Sequence, residues 1–270
     1  MLLSVLPPFC TAVSARLEVH SENYFGEGGK PLAVLESIRR DYPISLHGVS
    51  MSLGSADELN WQHLKKLRDL VAHINPCLIS DHISWSSIDG HYLHDLLPLP
   101  YTEETLVHLA SRIQQVQDYL NRQILIENIS HYVRYDHSTI PEYEFLREIA
   151  VKSGCGILLD INNIYVNATN FRTNPHHYIS SIPANLVQEI HLAGFTTTMI
   201  DDQEVLIDSH NRPVLPAVWD LYRYAIGHLG SKPTIIEWDA DIPTFETLCL
   251  EAYRAEKIMR ETYATAKLTG

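Results

Sequence analysis

Seven short apolar runs, each followed by a helical pattern, restrict the possible folds of this 270-residue chain most strongly. They recur at intervals of roughly 30 residues, the spacing that βαβ units produce. Their near-continuous apolar character is typical of parallel strands that are covered on both faces. The runs are LEVHSE (17–22), ISLHG (44–48), LISDHISW (78–85), ILIENIS (124–130), GILLDINN (156–163), EIHLAG (189–194) and TIIEWD (234–239).

This alternation predicts an α/β fold, a (β/α)8 TIM barrel. Such a barrel has eight strands, and only seven are visible. The missing first strand would have to lie within residues 1–16, so we expect it to be truncated, absent or irregular. No linker, repeat or low-complexity segment interrupts the pattern, so residues 1–270 are expected to form a single domain. Helices are expected to begin near Ser55, Thr102 and Thr139, where capping residues precede helical patterns.

A histidine or an acid ends almost every predicted strand. In a barrel the carboxyl ends of the strands converge on one face, and active sites lie there. Several carboxylates on one face repel each other unless protons or cations neutralise them, and neutral imidazoles do not. His, Asp and Glu are common ligands of divalent and trivalent metal ions. The strand-end residues are His20, Glu22, His47, Asp81, His82, Glu127, Asn128, Asp160, Asn163, His191, Glu237 and Asp239.

Each of these residues alone also has an ordinary structural explanation. A single histidine at a strand end can be a hydrogen-bonded core residue. Asp160 can cap the next helix, and Glu127 or Glu237 can pair with an arginine. Six strands that end independently in such residues are harder to explain by capping, so the pattern as a whole favours a metal site.

A D-x-H pair, Asp208 and His210, lies between the sixth and seventh runs in the segment LIDSHNRPV. Alternate residues of an extended segment share a side, so this pair could bind one ion. The alternative is an Asx-type turn before Pro213.

Composition limits the possible partners. The chain has 20 Lys and Arg against 33 Asp and Glu, a net charge of −13, which argues against nucleic acid bound through many phosphates. Four scattered cysteines without a CxxC pair predict no disulfide framework, and the N-terminus does not predict a signal peptide. No stretch is long and apolar enough to predict a membrane span. We therefore expect a cytoplasmic protein.

Long segments of the chain resemble the multinuclear non-haem iron-dependent oxidative enzymes, a family formerly labelled as an uncharacterised protein family. The resemblance extends from about Leu17 to about Arg254. The resembling segments are EVHSENYFGEGG, LHGVSMSLGS, DHISWS, YLHDLLPLPYTEE, ENISHYV, LLDINNIYVNA, EIHLAGF, LIDSHNRPV and IEWDADIPTFE. Members usually begin with a Gly-rich first strand and helix, which is not visible before Arg16.

This resemblance implies a TIM barrel of the xylose-isomerase/endonuclease IV type with two or three iron ions, Fe(II) and Fe(III) together, although zinc or manganese could be present as purified. It implies three ligand sets, one of which shares Glu127 with its neighbour. The sets are His47, His82 and Glu127 for one iron, Glu127, Asp160, His191 and Glu237 for the second, and Asn163, Asp208 and His210 for the third.

The resemblance further implies an O2-dependent reaction on cysteine residues of a ribosomally made precursor peptide. Known products in the family are oxazolone–thioamide pairs, thiooxazoles and carbon-excised residues. Asp239 is a candidate proton acceptor, or it orients its neighbour Glu237, and it could equally cap a loop. His20, Glu22 and Asn23 end the first run and are candidate substrate contacts. A small partner protein is expected to recognise the leader peptide.

Three other functions use similar residues. A metal-dependent hydrolase of the endonuclease IV type would need a surface that binds DNA, which a net charge of −13 does not favour. A sugar isomerase-like enzyme would be expected to have a lysine near the metals, and none of the seven strand ends carries one. A non-catalytic metal-binding protein would consume no O2.

Overall fold

The fold was analysed in a computed structural model, which describes residues 16–26 and 28–269. The chain divides into two compact units. The N-terminal unit is Arg16–Leu158, and the C-terminal unit includes Leu159–Gly270. The boundary between them falls inside one strand, so that strand contributes residues to both units.

Five parallel strands, in the order β1-β2-β3-β6-β7, form the sheet of the N-terminal unit. β2, β3, β6 and β7 are buried at every residue, as expected of strands covered on both faces. The elements are β1 (Leu17–His20), a 3-10 turn (Ser21–Tyr24), α1 (Lys30–Arg39), β2 (Ile44–His47), α2 (Trp61–Ile74), β3 (Ile79–His82), β4 (Trp85–Ile88), β5 (His91–Leu97), α3 (Glu103–Leu120), β6 (Leu125–Glu127), α4 (Glu142–Ser153) and β7 (Gly156–Asp160).

The register of these strands brings the polar strand ends side by side. His20 lies opposite His47, and His82 lies opposite Glu127. Neighbouring parallel strands are about 4.8 Å apart, so paired end residues are within reach of one ligand.

The C-terminal unit continues from the end of β7. Its β8 and β11 pair in parallel, with Ile235 opposite His191, and its β9 and β10 form a separate antiparallel hairpin. The elements are α5 (Ile161–Phe171), α6 (Pro175–Ser180), β8 (Val187–Leu192), β9 (Thr196–Ile200), β10 (Gln203–Ile207), α7 (Pro216–Leu229), β11 (Thr234–Ile236) and α8 (Phe245–Thr269).

All seven predicted parallel strands are present, but two antiparallel hairpins, β4–β5 and β9–β10, were not predicted. The first has the turn Asp89-Gly90, and Asp-Gly between strands is a strong hairpin signal that could have identified it. The second turns at Asp201 and Asp202, whose φ angles are 48° and 60°. These are the left-handed angles that a type I′ turn requires.

Two predicted helix starts are displaced. α2 is capped by Asn60, whose side chain accepts from the backbone N–H of His63 at 3.0 Å, and not by Ser55. The Ser55 hydroxyl instead donates to the carbonyl of Ser87 at 2.7 Å, so it joins the loop before α2 to β4. α4 begins after Pro141 rather than at Thr139. The Thr102 cap of α3 is confirmed.

Three expectations concern the chain ends, the cysteines and the membrane. The missing first strand falls on residues 1–15, outside the described residues. Cys77 and Cys155 are free thiols, but Cys249 is disulfide-bonded, so the sequence-based expectation of no disulfide framework missed this bond. Among the described helices, none combines the length and apolar character needed to cross a bilayer.

Candidate metal centre

Two imidazoles and one carboxylate meet at the ends of β2, β3 and β6 in the N-terminal unit. The Nε2 atoms of His47 and His82 lie 3.3 Å and 3.1 Å from Oε2 of Glu127. His47 and Glu127 are each 1% exposed and His82 is 7% exposed. These three residues form the first cluster.

Hydrogen bonds on the far side of each ring fix the orientation of the two histidines. His82 Nδ1 lies 3.0 Å from the carbonyl oxygen of Gly48, and His47 Nδ1 lies 2.7 Å from Oγ of Ser80. A carbonyl oxygen can only accept, so Nδ1 of His82 carries the proton. The Nε2 atom is then the ring nitrogen that faces the Glu127 carboxylate, and without a proton of its own it presents a lone pair.

That arrangement requires a positive charge between the rings and the carboxylate. A lone pair 3.1 Å from a carboxylate oxygen is repulsive unless a proton or a metal ion lies between them. Histidines that bind metals usually donate their other N–H to a carbonyl or carboxylate, as His82 does. The first cluster therefore fits a metal ion that accepts two nitrogens and one oxygen.

The C-terminal unit holds a second cluster at the ends of β7, β8 and β11. Asp160, His191 and Glu237 each offer one ligand atom, and these atoms lie within 4.8 Å of one another. His191 Nδ1 is 3.1 Å from Oε2 of Glu237. Asp160 and His191 are fully buried, at 0% exposure, so a cation is a suitable counter-charge here.

Asp160 also caps α5, which was its alternative explanation. Its Oδ1 accepts from the backbone N–H of Asn163 at 2.6 Å. A carboxylate has two oxygens and about four lone-pair sites, so one cap bond leaves it capacity for a metal. The structural and the metal-binding explanations are therefore compatible.

Asp208 and His210 are brought together as the D-x-H spacing predicts, with His210 Nε2 2.7 Å from Oδ1 of Asp208. The amide of Asn162 donates to the same Oδ1 at 2.7 Å. Sequence reasoning had singled out Asn163, whose role as a ligand stays a prediction, and had missed Asn162. The two amides are adjacent at the start of α5, where a one-residue difference turns the side chain by about 100°.

Carboxylates surround His210 on both ring edges. Its Nδ1 lies 3.1 Å from Oδ2 of Asp239 and 3.4 Å from Oε2 of Glu237. Burial alone lowers the pKa of His210, but Asp208, Glu237 and the hydrogen bond to Asp239 together raise it well above its ordinary value. The carboxylates around the ring therefore favour a positive charge at this position.

The backbone at Gly194 passes very close to the loop that carries His210, and this contact fixes the position of the loop. The N–H of His210 donates to the carbonyl of Gly194 at 3.0 Å. A Cβ on Gly194 would lie only 2.2 Å from the carbonyl oxygen of Arg212 and 2.6 Å from that of Pro213. Only glycine fits there, so Gly194, two residues after the end of β8, fixes the loop that carries Asp208 and His210.

The three candidate substrate contacts lie around β1. The ring of His20 meets that of His47 edge-on, with centroids 5.8 Å apart. Glu22 Oε1 accepts from the N–H of Val49 at 3.1 Å, which ties the 3-10 turn to the loop after β2. Asn23 is exposed. The structure thus puts His20 beside the first cluster, and contact with substrate stays a prediction for all three residues.

Asp81 is a buried acid with a structural role that the sequence pattern did not predict. Its Oδ1 accepts from the N–H of His82 at 2.7 Å and its Oδ2 from that of Met51 at 3.3 Å. Burial raises the pKa of Asp81 to about 7. Its side chain joins the loop after β2 to the strand that carries His82.

Comparison with known proteins adds to this geometry. The sequence model of a family described as RiPP precursor modification enzyme MbnB/TglH/ChrH matches residues 10–260. A UPF0276 protein of Acaryochloris marina is 50% identical over 240 residues, which cover 89% of this chain and 85% of the relative. A UPF0276 protein of Vibrio parahaemolyticus is 48% identical over 245 residues, which cover 91% and 85%.

Solved structures resemble the chain at low identity. A D-psicose 3-epimerase from Clostridium cellulolyticum H10 matches with a TM-score of 0.57 and 10% identity, covering 92% of this chain and 89% of its own. A xylose isomerase-like TIM barrel protein from Mycobacterium smegmatis in complex with magnesium matches with a TM-score of 0.54 and 13% identity, covering 90% and 81%. At such identities the likeness shows the fold alone, and it confirms the predicted xylose isomerase-like TIM barrel.

Proposed function

The chain belongs to the RiPP precursor modification enzyme family MbnB/TglH/ChrH, and from this membership we propose that it uses iron and O2 to oxidise cysteine residues of a precursor peptide. Family membership supports an enzyme that modifies such peptides. Iron, O2 and cysteine are our own assignment, made from the sequence resemblance and from the donor set of the two clusters.

The first cluster is the observation that carries the proposal. Two buried histidines and one buried glutamate offer ligand atoms within 4.8 Å of one another. Nitrogen and carboxylate ligands of this kind bind Fe(II), and they leave coordination positions for other molecules. A purely structural zinc site would more often be closed by four protein ligands, frequently cysteines.

Each ligand set has an assignment in the proposal. His47, His82 and Glu127 would hold one iron, and Asp160, His191 and Glu237 would hold another. Asn163, Asp208 and His210 are assigned to a third. Bound iron would supply a Lewis acid for the cysteine thiolate and a redox centre for O2.

The chain's own residues have two further tasks in this mechanism. Ser80 and the carbonyl of Gly48 orient the rings of His47 and His82. Asp239, 42% exposed and 3.1 Å from His210 Nδ1, is placed to accept a proton and pass it to solvent. Burial of the other ligands keeps bulk water from competing with the substrate.

The first test is metal content and redox state. The protein is purified without oxygen from iron-replete cells, and the same sample is used for elemental analysis and Mössbauer spectroscopy. We expect two or three irons per chain, partly ferrous and partly ferric. O2 uptake is then measured with cysteine-bearing precursor peptides encoded near the gene, and the product is identified by mass.

A matched pair of variants assigns the activity to the first cluster. Glu127→Gln removes a buried ligand charge and should reduce the iron content by about one ion per chain, and O2 uptake by at least about a hundredfold. Glu104→Gln removes an exposed charge in the first turn of α3 and should change neither quantity.

Three results would contradict the proposal. Stoichiometric zinc, with no gain of iron on reconstitution, would favour hydrolysis, and abasic DNA would be the next substrate. Metal-dependent conversion of a ketose without O2 would favour the sugar isomerase-like alternative. Iron binding without O2 uptake on any neighbouring cysteine peptide would favour a non-catalytic role. A small partner protein and a cytoplasmic location remain predictions.

A further inference from the structure

A cavity of about 340 Å³ lies within the N-terminal unit, apart from both clusters. It is framed by the loop between β2 and α2, by the β4–β5 hairpin and by α3. Its volume falls at the lower end of the range of about 300–1,000 Å³ that small-molecule sites occupy. Its lining residues are Met51, Ser52, Asp57, Glu58, Asn60, Ser87, Gly90, Tyr92 and Arg112.

The frame of this cavity is held in place by its own hydrogen bonds. Ser52 Oγ accepts from the N–H groups of Ser86 and Ser87 at 2.8 Å and 3.1 Å. The carboxylate of Asp57 accepts from the N–H groups of Asp89 and Gly90 at 2.9 Å and 3.2 Å. The loop and the hairpin tip are thus joined before any ligand binds, which lowers the entropy cost of binding.

Arg112 is the cation in the wall, and it has no hydrogen-bonded ion-pair partner in the described part of the chain, although the Asp57 carboxylate acts on it electrostatically. It is only 7% exposed, and its Nη1 donates to the backbone carbonyl of Asp57 at 2.5 Å. Its Nε is buried with no hydrogen-bond acceptor in the described part of the chain. No carboxylate there forms an ion pair with it, and the nearby Asp57 carboxylate is already engaged by two amides.

A buried guanidinium without a hydrogen-bonded anion is costly, because buried charges are normally paired. The hydroxyl of Tyr92 in the same wall can also donate a hydrogen bond. Asn60 Nδ2 donates to the hydroxyl oxygen of Tyr92 at 2.7 Å, which leaves the Tyr92 O–H to donate elsewhere. Two acids in the wall oppose an anion, the exposed Glu58 and Asp57, whose carboxylate already accepts from two backbone N–H groups.

We propose that this cavity is a carboxylate-binding site in which Arg112 pairs with the ligand and Tyr92 donates a second hydrogen bond. The carboxylate could belong to an acidic side chain of a peptide or to a small free acid. The peptide source rests on the proposed function. The site itself does not, because binding requires neither metal nor turnover.

The test measures binding to the intact, metal-loaded protein by isothermal titration calorimetry. The probes are an acidic peptide, acetyl-Gly-Glu-Glu-Gly-amide, its Gln-Gln counterpart and glutarate. We expect saturable binding of a carboxylate probe and none of the Gln-Gln peptide. Preference for the acidic peptide would indicate a peptide ligand, and preference for glutarate a free acid.

Two substitutions should change the affinity for the carboxylate probe in opposite directions. Arg112→Gln removes the cation and should weaken binding by about tenfold or more, with partial recovery in Arg112→Lys. Glu58→Gln removes one opposing charge and should tighten binding by about two- to fourfold. Because Glu58 is exposed, its variant should fold normally and keeps the test valid if the Arg112 variants do not fold.

Equal binding of the Glu-Glu and Gln-Gln peptides would overturn the inference. So would carboxylate binding that neither substitution changes, or no saturable binding at all. Each result leaves the iron content and O2 uptake of the unmodified protein untouched, so failure here is distinct from failure of the proposed function.

Discussion

Asp160 shows at the scale of a single residue why the sequence predicted this centre only in part. A carboxylate after an apolar strand indicates either a cap or a metal ligand, and the structure shows the cap while placing Asp160 beside His191 and Glu237. The candidate ligands of the two clusters were predictable because each lies at the end of a strand or directly after it. The contact of Asn162 with Asp208 was not, because it depends on the residue at which α5 begins.

The hydrogen bond between Ser80 and His47 gives a prediction at this scale. Ser80→Ala leaves Nδ1 of His47 without its partner and should lower metal affinity at the first cluster by about 10- to 100-fold. The measurement is competition with a chelator of known affinity. Ser153→Ala, which removes a buried hydroxyl at the end of α4, serves as the control. Equal affinities in the two variants would show that Ser80 does not orient the ligand.

His131 gives a pH prediction. It is 4% exposed, and burial together with Arg134 lowers its pKa to about 4, whereas the unfolded value is about 6.5. A hydrogen bond with the backbone of Ile129 opposes this shift, and the Glu142 carboxylate, 3.9 Å from Nδ1, is beyond hydrogen-bonding distance. As the pH falls below 6.5 the unfolded state gains a proton that the folded state does not, so stability decreases.

The loss attributable to His131 is at most about 3 kcal/mol once the pH reaches about 4. His131→Asn should therefore lose less unfolding free energy between pH 7.5 and pH 5 than the wild type does, as measured in urea. His94→Asn, an exposed substitution on β5, should behave like the wild type. Parallel pH profiles for all three proteins would refute the assignment.

The order of strands and helices was predictable at the scale of elements, because apolar runs and their spacing define it. The hairpins were missed because short polar strands such as His91–Leu97 lack a buried face. The start of α2 was misplaced because Ser55 and Asn60 are both capping residues. Only the hydrogen bond from Ser55 to the Ser87 carbonyl, distant in sequence, decides between them.

The crossing at Gly194 can be tested by adding one methyl group. Gly194→Ala forces the loop of Asp208 and His210 to move and should destabilise the fold by about 1–3 kcal/mol. It should also reduce metal content in the C-terminal unit. Urea unfolding and elemental analysis measure the two effects.

Gly227→Ala in α7 is the matched control. Its added Cβ would meet Thr262 Cγ2 at 3.7 Å, an ordinary contact, and alanine is favoured over glycine in helices by about 1 kcal/mol. This variant should be as stable as the wild type or more so. If the two alanine variants behaved alike, the crossing would not fix the ligand loop.

At the scale of the whole molecule, the net charge of −13 should oppose association of two copies through the exposed strand β9. β9 has the sequence TTTMI without a charge, and Met199 is 63% exposed. The other strand of this hairpin is covered, because the amide of Asn170 bonds both the N–H and the carbonyl of Leu206. Uncharged edges tend to pair between molecules, and repulsion between like-charged copies opposes this.

Added salt should therefore promote self-association. The Debye length falls from about 30 Å at 0.01 M to about 8 Å at 0.15 M, which screens the repulsion. Sedimentation velocity should show larger species at the higher ionic strength, and Met199→Lys should suppress them. Val107→Lys changes an equally exposed residue, 62%, on a helix and should not. A salt-independent sedimentation coefficient would exclude association through β9.

The two histidines of the first cluster also differ in how they can evolve. His47 depends on the Ser80 hydroxyl, which a single codon change can delete, whereas His82 depends on a backbone carbonyl that no substitution removes. Position 48 is still restricted, but by size, since a Cβ there would lie 2.5 Å from Asp81 Oδ2. A substitution of Ser80 can therefore remove the hydrogen-bond partner of His47. The partner of His82 can be displaced only by a larger residue at position 48.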